Sequence, residues 1–430
     1  MPDNNLKEPH GNPVLPRLFL KPKEEDRILE GHPWIYDNEV KEIRTGKQCF
    51  PFSNSRFEYT GLMEAYTASG FFLGIGYYNH FSKIIFRFFS RERDEINGEF
   101  FSKRIKTALE LRKNFFSPGD SFRLVFGEAD FLPGLIVDCF KAFPLGTDNP
   151  GAEVIPQVFL SIQFLSRAVE EYRDLIIDAL RKILNPVGIV ERSDVRVRVL
   201  EGLEEKKGFI GPEFNPEIII RENSILLKVN LLEGQKTGYF LDQKFNRRLL
   251  SPIVSGKRVL DTFTHTGAFG LNASLFGAAE VISADISPEA VALTKENIIL
   301  NHSEKTNTVL EADVFELLKS YCDSGETFDV IILDPPAFTK NAKTSSKAYG
   351  GYKEINLRAM KILKTGGYLL TCSCSHFFTD EMFMNMLLNA GRDAHKKLQI
   401  ISRTGPGPDH PVLAGYPESS YLTCVLLRVF

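Results

Sequence analysis

From about residue 206 to 430, apolar runs alternate with helical stretches. The runs are KRVLDTF, AEVISADI, TVLEAD, FDVIILDPP, GYLLTCS and LQIIS, with YLTCVLLRV last. Near-continuous apolar runs of this length predict strands buried on both faces. Helices between most of them predict a parallel sheet covered on both sides. Ligands of such sheets bind beyond the C-terminal strand ends. Residues 14–92 have a different texture. Their short β-rich runs, FEYTGLMEAYTA, FFLGIGYYN and SKIIFRFFS, are cut by Gly61, Gly70, Gly74, Gly76 and Asn79. That spacing predicts a small barrel or sandwich. Residues 93–205 predict a small α/β unit. A helix reads FFSKRIKTALELRKNFF, strands read FRLVF, GLIVDCF, QVFLSIQFL and GIVERSD, and a second helix reads AVEEYRDLIIDALRKIL. Residues 141–156, with three prolines and two glycines, read as a loop or long hairpin turn.

Length agrees with this division, because 430 residues exceed one average domain. A 43% hydrophobic and 25% charged composition excludes whole-chain disorder. No run of 18 apolar residues predicts a membrane span, and MPDNNLKEPHGNP is not a secretory signal, so the expected compartment is the cytoplasm. Six cysteines without a CxxC pair argue against a disulfide framework or a structural zinc site, and no metal is expected. The net charge of −3 at first argues against nucleic acid. It conceals a local bias. Between Pro336 and Gly366 stand Lys340, Lys343, Lys347, Lys353, Arg358, Lys361 and Lys364 against Glu354 alone, which makes the segment +6 and the remainder −9. Such a run reads as an RNA-backbone contact or as a solvated helix face. Trp34, in GHPWIYDNEV, reads first as a core aromatic and second as a base or sugar contact.

The chemistry-bearing residues fall at the predicted strand ends. Asp261 ends the first strand and leads into Thr262-Phe263-Thr264-His265-Thr266-Gly267, where glycine allows close backbone approach. Asp285 ends the second strand and suits ribose hydroxyls; Ser287-Pro288 then starts a helix. Asp313, followed by Val314, ends the third and suits an adenine amino group. Each acid alone reads equally well as a helix cap. The bulky loop with Phe263, His265 and Phe269 lacks the bare glycine turn of a pyrophosphate site, so the expected cofactor is S-adenosylmethionine. The fourth strand ends in Asp334-Pro335-Pro336-Ala337-Phe338. The prolines hold the carboxylate at the sheet edge, where it can grip a base while Phe338 offers a stacking face. The expected substrate contacts are Pro335, Pro336, Phe338, Lys340 and Lys353. The fifth strand ends in Thr371-Cys372-Ser373-Cys374-Ser375. A thiol there can add to cytosine C6 and make C5 nucleophilic.

These residues resemble a known family, the bacterial 23S ribosomal RNA (cytosine-5)-methyltransferases with an N-terminal PUA domain. The matching stretches include LKPKEEDRILEGHPWIYDNEV, GEADFLPGLIVDCF, GQKTGYFLDQKFNRR, LDTFTHTGAF, DVIILDPPAF, GYKEINLRAM, TCSCS, DHPVL and PESSYL. The resemblance implies a PUA-like RNA-binding barrel (14–92), a central α/β domain (93–205) and a Rossmann-like class I methyltransferase domain (206–430). It implies that Gly238–Arg247 helps close the cofactor pocket, with Asp242, Gln243 and Asn246 near it, and members of the family tend to be homodimers. In pyrimidine-5 RNA methyltransferases the nucleophile stands seven positions past the second glycine of a Gly-Gly strand start. From Gly366-Gly367 that position is Cys374, with Cys372 as the other candidate. Two departures stand out. Pro336 occupies the place of a second cysteine that assists product release in many such enzymes, and Ala337 replaces the lysine usual after DPP. Methylation of uridine C5 or guanine N7, or a non-catalytic assembly role, remain open alternatives at this point.

Overall fold

A computed structural model describes residues 15–52, 57–143, 155–338, 345–375 and 378–430, without the side chains of 345–347. Of the expected loop at 141–156, residues 144–154 lie outside the described residues, as do Lys340, Lys343 and the Lys347 side chain, while 141–143 belong to a strand ending at Phe143 instead.

Among the described residues, the chain builds three seven-stranded sheets in sequence order. The first holds β1 (Arg17–Leu20), β2 (Trp34–Ile35), β3 (Val40–Thr45), β4 (Gln48–Pro51), β5 (Thr60–Tyr66), β6 (Phe72–Asn79) and β7 (Phe86–Ser90), with the single turn α1 (Asp26–Leu29). Their order is β2-β7-β6-β5-β1-β3-β4, and Leu18, Leu20, Ile43, Met63 and Phe86 fill the core. Gly76 is required at its β6 position because a Cβ there would stand 2.2 Å from the Arg87 carbonyl oxygen.

The second sheet holds β8 (Phe122–Phe126), β9 (Leu135–Phe143), β10 (Gln157–Phe164), β11 (Gly188–Ser193), β12 (Lys206–Phe209), β13 (Glu217–Glu222) and β14 (Ile225–Asn230). Its helices are α2 (Gly98–Lys113), α3 (Arg167–Glu171), α4 (Arg173–Leu184) and α5 (Val197–Leu200). Asn97 starts α2 by accepting from the Glu99 and Phe100 amides. The helix expected over 168–184 is broken at Tyr172, which leaves α3 and α4 as separate pieces. The sheet draws strands from both sides of residue 205, since β13 pairs with β9 and β14 extends it.

The third sheet holds β15 (Arg258–Thr262), β16 (Glu280–Asp285), β17 (Asn307–Glu311), β18 (Phe328–Leu333), β19 (Leu363–Ser373), β20 (Leu398–Thr404) and β21 (Thr423–Val429). The accompanying helices are α6 (Lys244–Arg248), α7 (Ala268–Leu275), α8 (Pro288–Leu300), α9 (Val314–Ser324), α10 (Ser345–Ile362) and α11 (Asp380–Asp393). The order is β17-β16-β15-β18-β19-β21-β20, with β21 antiparallel to its neighbours. The connections reverse direction between β15 and β18, which places a ligand crevice beyond the ends of those two strands. Val330, Ile331, Ile332 and Leu333 of β18 are fully buried, as a strand covered on both faces requires.

Buried charge fastens the three units together. Arg87 of β7 donates to Glu128 at 3.0 Å and to Glu201 at 2.8 Å, both in the second unit. Arg112 of α2 is bidentate to Asp130 and also reaches the Asp409 carbonyl at 2.7 Å. Arg123 of β8 is bidentate to Asp138 of β9, both contacts at 2.8 Å, and Asp138 also accepts from Thr237. The second unit therefore grips the segment that leads into the crevice.

Candidate active site

The end of the crevice expected to take the cofactor is built by the turn after β15. Phe263 and His265 both take positive φ, 57° and 53°, an uncommon conformation for residues with a Cβ. Gly267 follows at φ 81°, where a Cβ would press 2.9 Å from Thr294. The turn wraps around Asp261. One of its oxygens accepts from Thr264 and from the Gly270 amide at 2.9 Å; the other, Oδ1, is buried without a partner. Burial pushes the Asp261 carboxyl up to about 7, against the pull of its two donors. Burial also pushes the His265 imidazole down to about 4, so it is neutral at pH 7. Asp285 accepts from the His265 amide at 2.9 Å and the Ser287 amide at 3.0 Å, and stays partly open.

The chemistry end lies between β18 and β19. Gln243 donates to Asp334 Oδ1 at 2.9 Å and accepts from Asn246 at 2.7 Å. Thr404 of β20 in turn donates to Asn246 at 2.7 Å. Burial, then the neighbouring Asp242 charge, push Asp334 up to about 6. Cys374 stands one residue past the last β19–β21 pair, Ser373–Thr423, and is half-buried with Sγ 3.7 Å from the Pro335 carbonyl oxygen. Burial and the Asp334 charge push its thiol up to about 11, while Lys236 acts the other way.

The structure separates the expected residues. Cys372 is fully buried opposite Cys424, and that contact together with burial holds its thiol far above the ordinary range. It belongs to the core rather than to the reacting surface, a correction to its candidacy as nucleophile. Ser287 accepts from the Ala290 amide and Asp313 from the Phe315 amide, so both cap helices, α8 and α9. Val314 is buried beside Leu318. Phe269 sits in the core under the sheet rather than in the loop. Thr266 is buried, and its carbonyl accepts from Asn297. Pro335 is buried and Pro336 exposed. Phe338 packs on Tyr352 at 4.6 Å between ring centres, which covers part of the face expected for stacking. Lys353 is paired with Asp393 of α11 at 2.6 Å, Arg358 with Glu354, and Lys364 with Asp329. Those members of the basic run are engaged in ion pairs on α10 and at the edge of the sheet, so the expected Lys353 substrate contact is not what the structure shows.

Several site residues escaped the sequence reading. Lys236 donates to Asp242 at 2.8 Å and lies over the Phe240 ring at 4.4 Å. Tyr421 donates to the same Asp242 oxygen at 2.5 Å. Burial opposes the Asp242 charge, but Lys236 and these donors hold its carboxyl well below the usual range. The signal for both was their place inside GQKTGYFLDQKFNRR and PESSYL. Ile286, 62% exposed beside Asp285, offers an apolar shelf that no motif marked.

Comparison with known proteins follows this geometry. Residues 210–420 match a family of S-adenosylmethionine-dependent methyltransferases, and residues 18–91 match a PUA-like domain. Ribosomal RNA large subunit methyltransferase I of Photobacterium profundum is 36% identical over 411 residues, covering 94% of this chain and 97% of that protein. The protein of that name from Alteromonas mediterranea is 33% identical over 417 residues, covering 96% and 98%. Among solved structures, a Streptococcus mutans chain assigned to the S-adenosylmethionine-dependent methyltransferases aligns with TM-score 0.76 and 22% identity, covering 96% of this chain and 99% of its own. A methyltransferase structure complexed with SAH aligns with TM-score 0.76 and 23% identity, with the same coverage. These two share the fold.

Proposed function

The chain belongs to the ribosomal RNA large subunit methyltransferase I family and is an S-adenosylmethionine-dependent methyltransferase; from that premise we propose that it methylates C5 of a cytosine in 23S ribosomal RNA through a covalent bond from Cys374. One observation carries this reading. Cys374 is the half-buried thiol at the end of β19, with its sulfur against the Asp334-Pro335 turn, while Cys372 is sealed behind it.

The residues present suit the cofactor. The unpartnered buried oxygen of Asp261 and the Asp334 carboxyl suit a ligand carrying positive charge. Asp285 can accept from ribose hydroxyls, with Ile286 beside it as an apolar shelf for adenine. When bound, S-adenosylmethionine supplies an electrophilic methyl group. Asp334 meets the N3/N4 edge of a flipped or unpaired cytosine. The Cys374 sulfur bonds to C6, and its proton passes by way of Asp334 to N3, which keeps the base neutral. With the cofactor bound, the electron pair gathered at C5 would take the methyl group, and the sulfonium–methyl bond would break with its pair remaining on sulfur to leave a neutral thioether. The C5 proton leaves to solvent, N3 returns its proton to Asp334, and the C6–S bond breaks to restore the aromatic ring. Cytoplasmic location and a homodimer belong to the same reading; among the described residues no helix is long and apolar enough to cross a membrane.

The test is methyl transfer from labelled cofactor to 23S rRNA, with nucleoside analysis of the product. Cys374→Ala is expected to abolish transfer, and Cys372→Ala to retain it. Transfer by Cys374→Ala, or label in uridine or guanosine, would sink the covalent cytosine mechanism.

A further inference from the structure

The crevice is rich in acids. Asp261, Asp285 and Asp334 stand at its strand ends, and the buried Asp242 adjoins Gln243, the donor to Asp334. Such acids suit the sulfonium and the ammonium of S-adenosylmethionine. The cofactor also carries a carboxylate, which the same acids repel. A carboxylate drawn out of water needs a cation or well-placed N–H donors.

Two cations act on both ends of the crevice. Burial pushes Asp334 up and His265 down, and Arg247 and Lys236 pull both groups downward. Arg247 is already committed. It is buried, bidentate to Glu222, and bonded to the Phe240 carbonyl oxygen at 2.7 Å. Lys236 is open. One of its three N–H groups goes to Asp242 Oδ2 at 2.8 Å, the other two meet no acceptor among the described residues, and the side chain is 38% exposed. It lies over the Phe240 ring at 4.4 Å. That ring meets the His265 ring edge-on at 5.0 Å, and the His265 amide donates to Asp285 at 2.9 Å. In the other direction Asp242 leads through its neighbour Gln243 to Asp334. Contacts therefore run from Lys236 to the strand end that suits the ribose and to the strand end that suits positive charge.

The backbone holds this lysine in place. Lys236 has φ 53°, an uncommon conformation for a residue with a Cβ, which persists only where the surroundings enforce it. Here they do. Arg192 donates to the Gly234 carbonyl at 2.8 Å, the Gly238 amide closes the turn onto the Gln235 carbonyl at 2.9 Å, and Thr237 donates to Asp138.

We propose that Lys236 is a cofactor-binding residue whose ammonium, bridging from Asp242, takes the carboxylate of S-adenosylmethionine. The proposal rests on the cofactor reading above and names the group that recognises the end of its amino-acid tail.

Calorimetry on the full chain, without RNA, compares three ligands. S-adenosylmethionine carries the carboxylate, decarboxylated S-adenosylmethionine lacks only that group, and 5′-methylthioadenosine lacks the whole tail. The parent is expected to bind S-adenosylmethionine about tenfold or more tighter than the decarboxylated form. Lys236→Gln is expected to weaken S-adenosylmethionine about tenfold or more and to leave the other two ligands within about threefold, while Lys236→Arg keeps the preference of the parent. Equal binding of the two sulfonium ligands by the parent overturns the proposal, and that comparison needs no variant to fold. Equal weakening of all three ligands in Lys236→Gln, as expected of a lysine that serves Asp242 alone, also overturns it. So does unchanged S-adenosylmethionine binding in Lys236→Gln with weaker binding of RNA, which assigns the lysine to a backbone phosphate. Binding of none of the three ligands overturns the cofactor reading together with the proposal. Cys374→Ala keeps the preference for the carboxylate, so failure of the covalent mechanism is scored separately.

Discussion

If one proton is shared between Cys374 and Asp334 in the reacting state, the pH profile has an unusual form. The resting thiol lies near 11 and the resting carboxyl near 6. The reacting arrangement is the reverse, with thiolate sulfur and protonated Asp334. Five pKa units separate the two, but protonating Asp334 also removes its push on the thiol, so moving the proton contributes at most about 7 kcal/mol to the barrier in the free enzyme. The reverse arrangement carries the same total charge as the resting one, so its population does not change with pH between the two pKa values. The ratio kcat/KM reports groups of the free enzyme. Its logarithm is therefore expected to be flat from about pH 6.5 to 9 and to fall with slope near one below about pH 6. In Asp334→Asn no proton is shared. The thiol also loses a negative neighbour and moves down toward its ordinary value. That variant is expected to be slower, with log kcat/KM rising at slope near one through about pH 9, because burial still holds the thiol above its ordinary value. The assay is the initial rate of methyl transfer to a subsaturating 23S rRNA fragment at constant ionic strength. A slope-one rise in the parent between pH 7 and 9 refutes the proton's path through Asp334. A flat profile in Asp334→Asn refutes attack by a buried thiol that must first ionise.

Two further predictions concern stability. The Asp261 carboxyl titrates near 7 when folded and near 3.9 when unfolded. Between those values the folded state holds a proton that the unfolded state has lost, so stability falls as pH rises, by about 4 kcal/mol in all. Without cofactor, Asp261→Asn is expected to melt above the parent at pH 8, with the difference closing toward pH 4; a lower melting temperature at pH 8 refutes desolvation as the governing effect. Asp138→Asn weakens the bidentate Arg123 pair and the Thr237 contact. Breaking a buried pair from one side costs about 3–5 kcal/mol, and urea unfolding should show a loss of that order. A loss below about 1 kcal/mol refutes the grip of the second unit on the 236–243 segment.

The strand ends were legible because burial on both faces leaves continuous apolar runs, and each polar residue that stops a run marks an end. Asp261, Asp285 and Asp334 stand where that logic places them. Asp313 and Ser287 satisfied the same logic and turned out to be helix caps, since a short acid or hydroxyl at a strand end serves either purpose. The basic run was legible as charge but not as contact. Arg358 found Glu354 one turn back on its own helix, a pairing readable from i,i+4 spacing, but Lys353 and Lys364 found Asp393 and Asp329 on other elements, which local sequence does not reveal.

The sequence by itself determined the three textures, the parallel sheet with acids at its C-terminal edge, and a cysteine pair at the end of one strand. It could not choose within that pair by alternation, because residues two apart on a strand point to the same side. The tertiary structure decided it through depth. Cys372 lies inside the β19–β21 ladder against Cys424, and Cys374 lies one step beyond it. The rest of the site depends on contacts between distant segments. Tyr421 reaches Asp242 across 179 residues, Arg112 reaches Asp409 across 297, and Trp34 reaches Glu128 across 94. Local pattern records which face of an element is buried. It does not record which element will cover that face, and the crevice and the grip on Lys236 both follow from that pairing.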